Sequence, residues 1–213
     1  MSDNQKTLNS SIEFTGVGLH TGEGVHMVIE PAKINHGVKF QRIDLENQPV
    51  LPADINLVTD TQRSTTLEKD NVKIVTVEHL MSALYALGVN NVLIKMDSSE
   101  VPILDGSAKY FVEEIQKVGL KVQDAPLKYI DLPDPIHYTD PDSGSEILFV
   151  PTNNFIISVV LDYQNLALGT QYAEIRDLKD YSTEIAPCKT FVFLTELEKL
   201  SKANLIKGGG LEN

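Results

Sequence analysis

The chain lacks most of the features that would assign it to an unusual class. One cysteine, Cys188, cannot form an intrachain disulfide, so cysteine usage gives no sign of an oxidising compartment. The opening MSDNQKTLNSS has neither a basic stretch nor an apolar one, no export leader is expected from it, and the expected location is cytoplasmic. No segment approaches the roughly 20 consecutive apolar residues that span a bilayer, and even FIISVVL, Phe155 to Leu161, has only strand length. No run of Lys or Arg forms a stripe for phosphates, and the formal net charge of −12 argues against a nucleic-acid or anionic-membrane partner. A locally basic pocket can still sit inside an acidic exterior, so the substrate need not be cationic. Low-complexity tracts and internal repeats are also missing.

What is present is the composition of a soluble globular protein. With 213 residues, 42% of them hydrophobic, the chain can bury one large core or two of about 100 residues each. Short apolar or alternating runs dominate: SIEFTGV, VHMVIE, GVKFQRI, VKIVTV, NVLIKM, SEILFV and NFIISVVLDY, set apart by Gly, Asn, Asp or Pro, read as strands. Helical spacing is confined to Thr76 to Leu87, Ser107 to Val118 with Gly119 closing it, and Leu194 to Ala203. Few helices following runs of strands predict an α+β fold rather than regular βαβ alternation. The composition shifts in GLKVQDAPLKY and LPDPIHYTDPDSGS, which puts a domain boundary between residues 120 and 130, drawn as 1–124 and 125–213, and a hairpin or loop near 139–145.

The stretch TVEHLMSAL, Thr76 to Leu84, sets a glutamate beside a histidine at the start of an apolar helix. Thr76 reads as the N-cap, with Glu78 and His79 in the first turn, about 100° apart and well away from the stripe of Val77, Leu80, Leu84 and Leu87. On its own the pair has two readings. One is a capped helix whose exposed glutamate complements the helix dipole and whose histidine is hydrogen-bonded at a domain edge. The other is a metal site in which His79 supplies one zinc nitrogen and Glu78 takes a proton from the attacking water. A catalytic zinc needs three protein ligands, and His20, His26, His36 and His137 form no HxxxH or HExxH pair that would complete the site.

Three further stretches add to this one: TGVGLHTG at Thr15 to Gly22, VPILDGSA at Val101 to Ala108, and KTFVFL followed by IKGGGLEN. In this order, across essentially the whole chain, the four resemble the UDP-3-O-acyl-N-acetylglucosamine deacetylase family, the zinc amidases of lipid A synthesis. The resemblance implies two similar two-layer sheet-plus-helix domains packed helix to helix, the second incomplete in this chain. It also implies hydrolysis of UDP-3-O-acyl-N-acetylglucosamine to UDP-3-O-acyl-glucosamine and acetate, with zinc as cofactor and no obligate protein partner. His79 matches the family's helix-borne zinc ligand, Glu78 its general base, and Thr190 the threonine that stabilises the oxyanion. Phe191, Leu194, Leu197, Ile206 and Gly209 match the passage for the fatty acyl chain, although Leu194 and Leu197 also fit plain helical core spacing. His20 matches a histidine near the cleft, and Tyr163 lies near an aromatic position that contacts the sugar nucleotide.

Read as chemistry, GVGLHTGEG lacks the lysine and the following helix of a phosphate loop, so a tight turn between strands is expected. VPILDGSAKYF reads as a turn at Asp105 and Gly106 with Ser107 opening a helix. His26, His36 and His137 match no functional position of the family and are expected on the surface or satisfied in the core. The resemblance also implies that the remaining zinc ligands and the general acid lie beyond Asn213. The chain then looks like the first two-thirds of the enzyme, unable to hold zinc tightly or turn over by itself, and a fused 3-hydroxyacyl-ACP dehydratase could follow in the parent. Two other classes stay open at this point: a catalytically silent sugar-nucleotide or acyl-chain binding module, and a structural domain.

Overall fold

Alternation of apolar and polar residues builds the main sheet. A computed structural model describes residues 4–163, 165–202, 207–210 and 213, apart from the side chains of 198–201. The described part is α+β, with several small sheets and few helices. It divides into two units, Met1–Pro126 with Ser182–Asn213, and Leu127–Tyr181.

The first unit opens with β1 (Asn4–Leu8), β2 (Ile12–Val17), β3 (Gly24–Pro31), β4 (Val38–Arg42), β5 (Val50–Pro52), β6 (Val58–Asp60), β7 (Thr66–Lys69) and β8 (Val72–Ile74). Helix α1 (Glu78–Ala86), β9 (Val92–Met96), α2 (Lys109–Val118) and β10 (Leu120–Pro126) follow. Five strands form a sheet in the order β2-β3-β9-β4-β5, all antiparallel except the β4/β9 pair. Strand period places Val25, Met27 and Ile29 of β3 and Val92, Ile94 and Met96 of β9 on one buried face. Met27 stands opposite Met96 and Ile29 opposite Ile94, so the register brings buried side chains together. Leu80, Ala83 and Leu84 of α1 and Phe111, Val112 and Ile115 of α2 are buried in the helical layer. The Phe14 ring of β2 meets Phe111 of α2 edge to face, with centroids 5.0 Å apart. Two smaller sheets complete this part: the antiparallel pair β1/β10, and β6-β7-β8.

The second unit carries two antiparallel hairpins, β11 (Ile136–Thr139) with β12 (Glu146–Phe149), and β13 (Ile157–Asp162) with β14 (Thr170–Ile175). The β11–β12 connection falls where Pro, Asp, Ser and Gly cluster, as the sequence predicts. Large apolar side chains on these strands, Leu148, Phe149 and Val160 among them, are exposed. A lone hairpin is marginal in water, because two strands cannot bury an apolar face between them.

Helix α3 (Tyr181–Glu184) begins at the last residue of the second unit, and α4 (Leu194–Lys202) follows in the returning part of the first. The return segment is fastened to the start and side of α2: Ala108 N–H donates to the Ala186 carbonyl at 3.0 Å and Gln116 Nε2 to Ser182 Oγ at 2.9 Å. Ala186 itself is fully buried.

Two local expectations need correction. Thr76 is not the N-cap of α1; Val77 holds that position without a side-chain bond, and the Thr76 hydroxyl turns inward to Glu100. Helix α2 starts at Lys109 rather than Ser107, because the Ser107 hydroxyl donates to Asp105 Oδ1 at 2.7 Å while accepting the Lys109 N–H at 3.1 Å.

Candidate active site

Residues 18–23 of the glycine-rich stretch form the expected turn between β2 and β3, closed by Gly18 N–H to the Glu23 carbonyl at 3.0 Å and Gly22 N–H to the Gly18 carbonyl at 2.9 Å. Beneath it lies Glu100, with no exposed surface. Its carboxylate accepts the His20 N–H at 3.0 Å, the Thr21 N–H and hydroxyl both at 2.9 Å, and the Thr76 hydroxyl at 2.8 Å. A Cβ at position 18 would collide with that carboxylate, which is why glycine stands there. On the other side Gly208 N–H donates to the Leu19 carbonyl at 2.9 Å, and a Cβ at 208 would strike the Gly18 carbonyl oxygen. The two glycine-rich stretches of the sequence therefore pack backbone to backbone.

Glu78 and His79 occupy the first turn of α1, both half-buried. Glu78 Oε2 accepts the Thr65 N–H at 2.9 Å, which leaves lone pairs on the second oxygen available to a proton. Burial pushes the His79 imidazole below the ordinary histidine pKa, against the opposing pull of the Glu78 and Asp105 carboxylates. Burial thus favours the neutral ring, the form that binds a metal.

The turn at Asp105 and Gly106 links this pair to Thr190. Asp105 is close enough to act on His79, lies 3.7 Å from Lys189 Nζ, and is followed by Gly106, whose carbonyl accepts the Thr190 N–H at 2.8 Å. Thr190 and Phe191 then line a predominantly apolar cavity of about 370 Å³ together with Leu19, His20, Arg63, Val192, Leu197 and Gly209. Arg63 Nη2 pairs with Glu196 Oε1 at 3.3 Å, and the 63–65 loop runs from the cavity wall to the Glu78 carboxylate. The Thr190 hydroxyl thus sits at an apolar opening, and the Glu78 and His79 side chains are linked to segments bordering it through Thr65 and the Asp105 turn.

Of the residues singled out in the sequence, His20, Thr190, Phe191, Leu197 and Gly209 come together at the cavity. Glu78 and His79 are not among the lining residues; Glu78 is bonded to Thr65, two residues from the lining Arg63, and His79 feels the Asp105 carboxylate. Leu194 is 82% exposed and is not among the lining residues. Ile206 lies outside the described residues, and Tyr163 belongs to the second unit, just after β13. His26, His36 and His137 are on the surface, near Glu13, the Gly37 carbonyl and Glu146. Sequence reasoning missed Glu100 and Arg63 and read the Asp105 turn as a marker only. The signal available for Glu100 was a carboxylate next to the apolar VPIL segment, where an unpartnered charge would be costly. Among the described residues no group of three or more His, Cys, Asp or Glu converges, so His79 stands as a candidate for one metal ligand, not as a whole site.

Comparison with known proteins yields a match to the family described as UDP-3-O-acyl N-acetylglycosamine deacetylase over residues 5–213. Relatives include two described as a bifunctional enzyme LpxC/FabZ. One, from Bacteroides thetaiotaomicron, is 46% identical over 209 residues, with 98% of this chain and 45% of the relative covered; that from Porphyromonas gingivalis is 43% identical at the same coverage. A UDP-3-O-acyl-N-acetylglucosamine deacetylase from Chromohalobacter salexigens is 41% identical over 216 residues, covering 98% of this chain and 69% of the relative. The chain thus spans about half the length of the bifunctional relatives.

Proposed function

The chain belongs to the UDP-3-O-acyl N-acetylglycosamine deacetylase family, and on that footing we propose that its parent protein hydrolyses the acetamide of UDP-3-O-acyl-N-acetylglucosamine, releasing acetate and the free amine, in lipid A biosynthesis. The observation that carries this reading is the meeting of Thr190, Phe191 and His20 at an apolar cavity whose wall is tied, through the Asp105 turn, to the half-buried His79. Its volume of about 370 Å³ lies within the range of ligand pockets and suits an acyl chain.

In this proposal the neutral His79 would hold a zinc ion through one ring nitrogen. Bound there, zinc would polarise the acetyl carbonyl and lower the pKa of the attacking water towards about 7. Glu78, one oxygen anchored on Thr65, takes the water proton with the other as the new O–C bond forms. The Thr190 hydroxyl donates to the developing oxyanion, a contribution of roughly 3 kcal/mol when well aligned. The C–N bond then breaks and the nitrogen gains a proton as the amine departs. Phe191 and Leu197 hold the acyl chain and keep water from that side of the cavity.

The remaining zinc ligands and the acid for the amine are proposed to lie outside these 213 residues; support comes from the greater length of the relatives. The division into similar domains at 1–124 and 125–213, packed helix to helix, and a role for Tyr163 in holding the sugar nucleotide belong to the same proposal. So does a cytoplasmic enzyme; among the described residues no helix is long and apolar enough to cross a membrane. The bifunctional description of two relatives supports a fused second activity in the parent, a 3-hydroxyacyl-ACP dehydratase.

The test is acetate release from UDP-3-O-acyl-N-acetylglucosamine by the full-length protein. Turnover that falls by about 10²-fold or more in Glu78→Ala, with metal content retained, is the expected result. Ligand binding without any turnover in the unsubstituted protein would instead mark a silent binding module.

A further inference from the structure

Glu100 stands outside the roles assigned above, yet it joins the two segments that carry them. It lies in the connection from β9 to α2, where Val75 and Glu100 form a bridge: Val75 N–H donates to the Ser99 carbonyl at 2.8 Å and Val101 N–H to the Val75 carbonyl at 3.0 Å. Its two oxygens offer about four lone-pair positions, and four neutral donors fill them: the His20 N–H, the Thr21 N–H, the Thr21 hydroxyl and the Thr76 hydroxyl. A carboxylate with no exposed surface is an expensive group to place in a fold whose packing would be served as well by an apolar residue.

Thr76 supplies a second, independent observation. It is β-branched and 2% exposed, and it sits at φ 60°, a left-handed conformation that such a residue avoids. Two and three residues later come Glu78 and His79. The strain is tolerated where the Glu100 carboxylate receives the Thr76 hydroxyl, and it sets the angle at which the chain enters α1.

We propose that Glu100 is a positioning residue for the deacetylation, its buried carboxylate fixing the His20 turn on one side and the entry to α1 on the other, so that the cleft histidine and the Glu78–His79 pair keep a constant separation. The inference rests on the deacetylase reading. Each oxygen takes a distinct part. Oε2 accepts both Thr21 donors, and Oε1 accepts the Thr76 hydroxyl. A glutamine at 100 could satisfy the turn with its oxygen while its NH2 faces Thr76, whose hydroxyl would rotate to accept; alanine would take the acceptor from the half-buried His20 and Thr21 N–H groups.

The experiment measures kcat per folded molecule of the full-length, metal-loaded protein, well below each variant's Tm, for Glu100→Gln, Glu100→Ala, Thr76→Val and Thr76→Ser. Thr76→Val keeps the shape and loses the hydroxyl; Thr76→Ser keeps the hydroxyl. Expected are a fall of about 100-fold for Glu100→Ala and about tenfold for Thr76→Val, the size of effect that a displacement of a reacting group by up to about 1 Å produces. Glu100→Gln should fall between wild type and Glu100→Ala, and Thr76→Ser should recover most of the loss seen in Thr76→Val. If kcat per folded molecule stays at the wild-type value in Glu100→Ala and Thr76→Val while Tm falls, Glu100 is a stabilising residue only and the inference is overturned. If the unsubstituted protein releases no acetate, the deacetylase reading itself fails, and the positioning role fails with it.

Discussion

The backbone N–H of Thr190 donates to the carbonyl of Gly106 at 2.8 Å, so the hydroxyl proposed to meet the oxyanion hangs from the same turn whose Asp105 acts on His79. Residues 84 positions apart in the chain are thereby placed at one opening. Because Thr190 is exposed and contributes little packing, Thr190→Ala should lower kcat by about 10²-fold with Tm nearly unchanged. Steady-state kinetics beside a thermal melt would check this, and an unaltered kcat would remove the oxyanion role.

Metal content tests His79. The 213-residue segment by itself should retain little zinc after gel filtration, since one imidazole is a weak site. The full-length protein should carry about one zinc per chain, lost in His79→Ala, as read by plasma emission spectrometry. Zinc retained in the full-length His79→Ala variant would show that the ring is not a ligand.

The core of the first unit depends on the contact between Phe14 and Phe111, the latter fully buried. Phe111→Ala should cost about 3–5 kcal/mol, from lost apolar burial and the cavity left behind. Urea unfolding of the variant, compared at constant m-value, gives the figure.

Acid should attack the clasp between Arg42 and Asp44. Arg42 is buried, and its Nε and Nη2 donate to the two Asp44 oxygens at 2.8 and 2.6 Å. The hydrogen bond from Arg42 holds the Asp44 carboxyl below the ordinary aspartate range. A carboxyl depressed in the folded state contributes stability that is present above its unfolded pKa of about 3.9 and is lost as pH falls through the lower folded value. Asp44→Asn should therefore cost about 1 kcal/mol at neutral pH, the pair being partly screened by solvent, and flatten the loss of stability below about pH 4, measured by urea unfolding across pH.

Local pattern accounts for what could be read without a structure. Alternation in VHMVIE and NVLIKM marks β3 and β9, because strand period puts Met27, Ile29, Ile94 and Met96 on one face whatever the partner strand is. Turn chemistry marks the β11–β12 connection, and apolar spacing marks α1 and α2 to within two residues. Glu78, His79 and Thr190 were legible only as matches to a family pattern, since a Glu-His pair or a strand-end threonine has no spacing that demands chemistry.

The sequence by itself determined the α+β class, the main strands and helices, and the residues that resemble a deacetylase site, all of which follow from periods of two or 3.6 residues or from short motifs. Only the tertiary structure decided that Thr76 is a strained partner of Glu100 instead of a helix cap, and that the turn around Leu19 and the glycines near 208 press together. It also decided that Arg63 forms part of the cavity wall. The physical reason is range. His20 and Glu100 are 80 positions apart, and the bond between them exists only once β2, β3 and β9 have closed into one sheet and brought a buried carboxylate under the N–H groups of the turn.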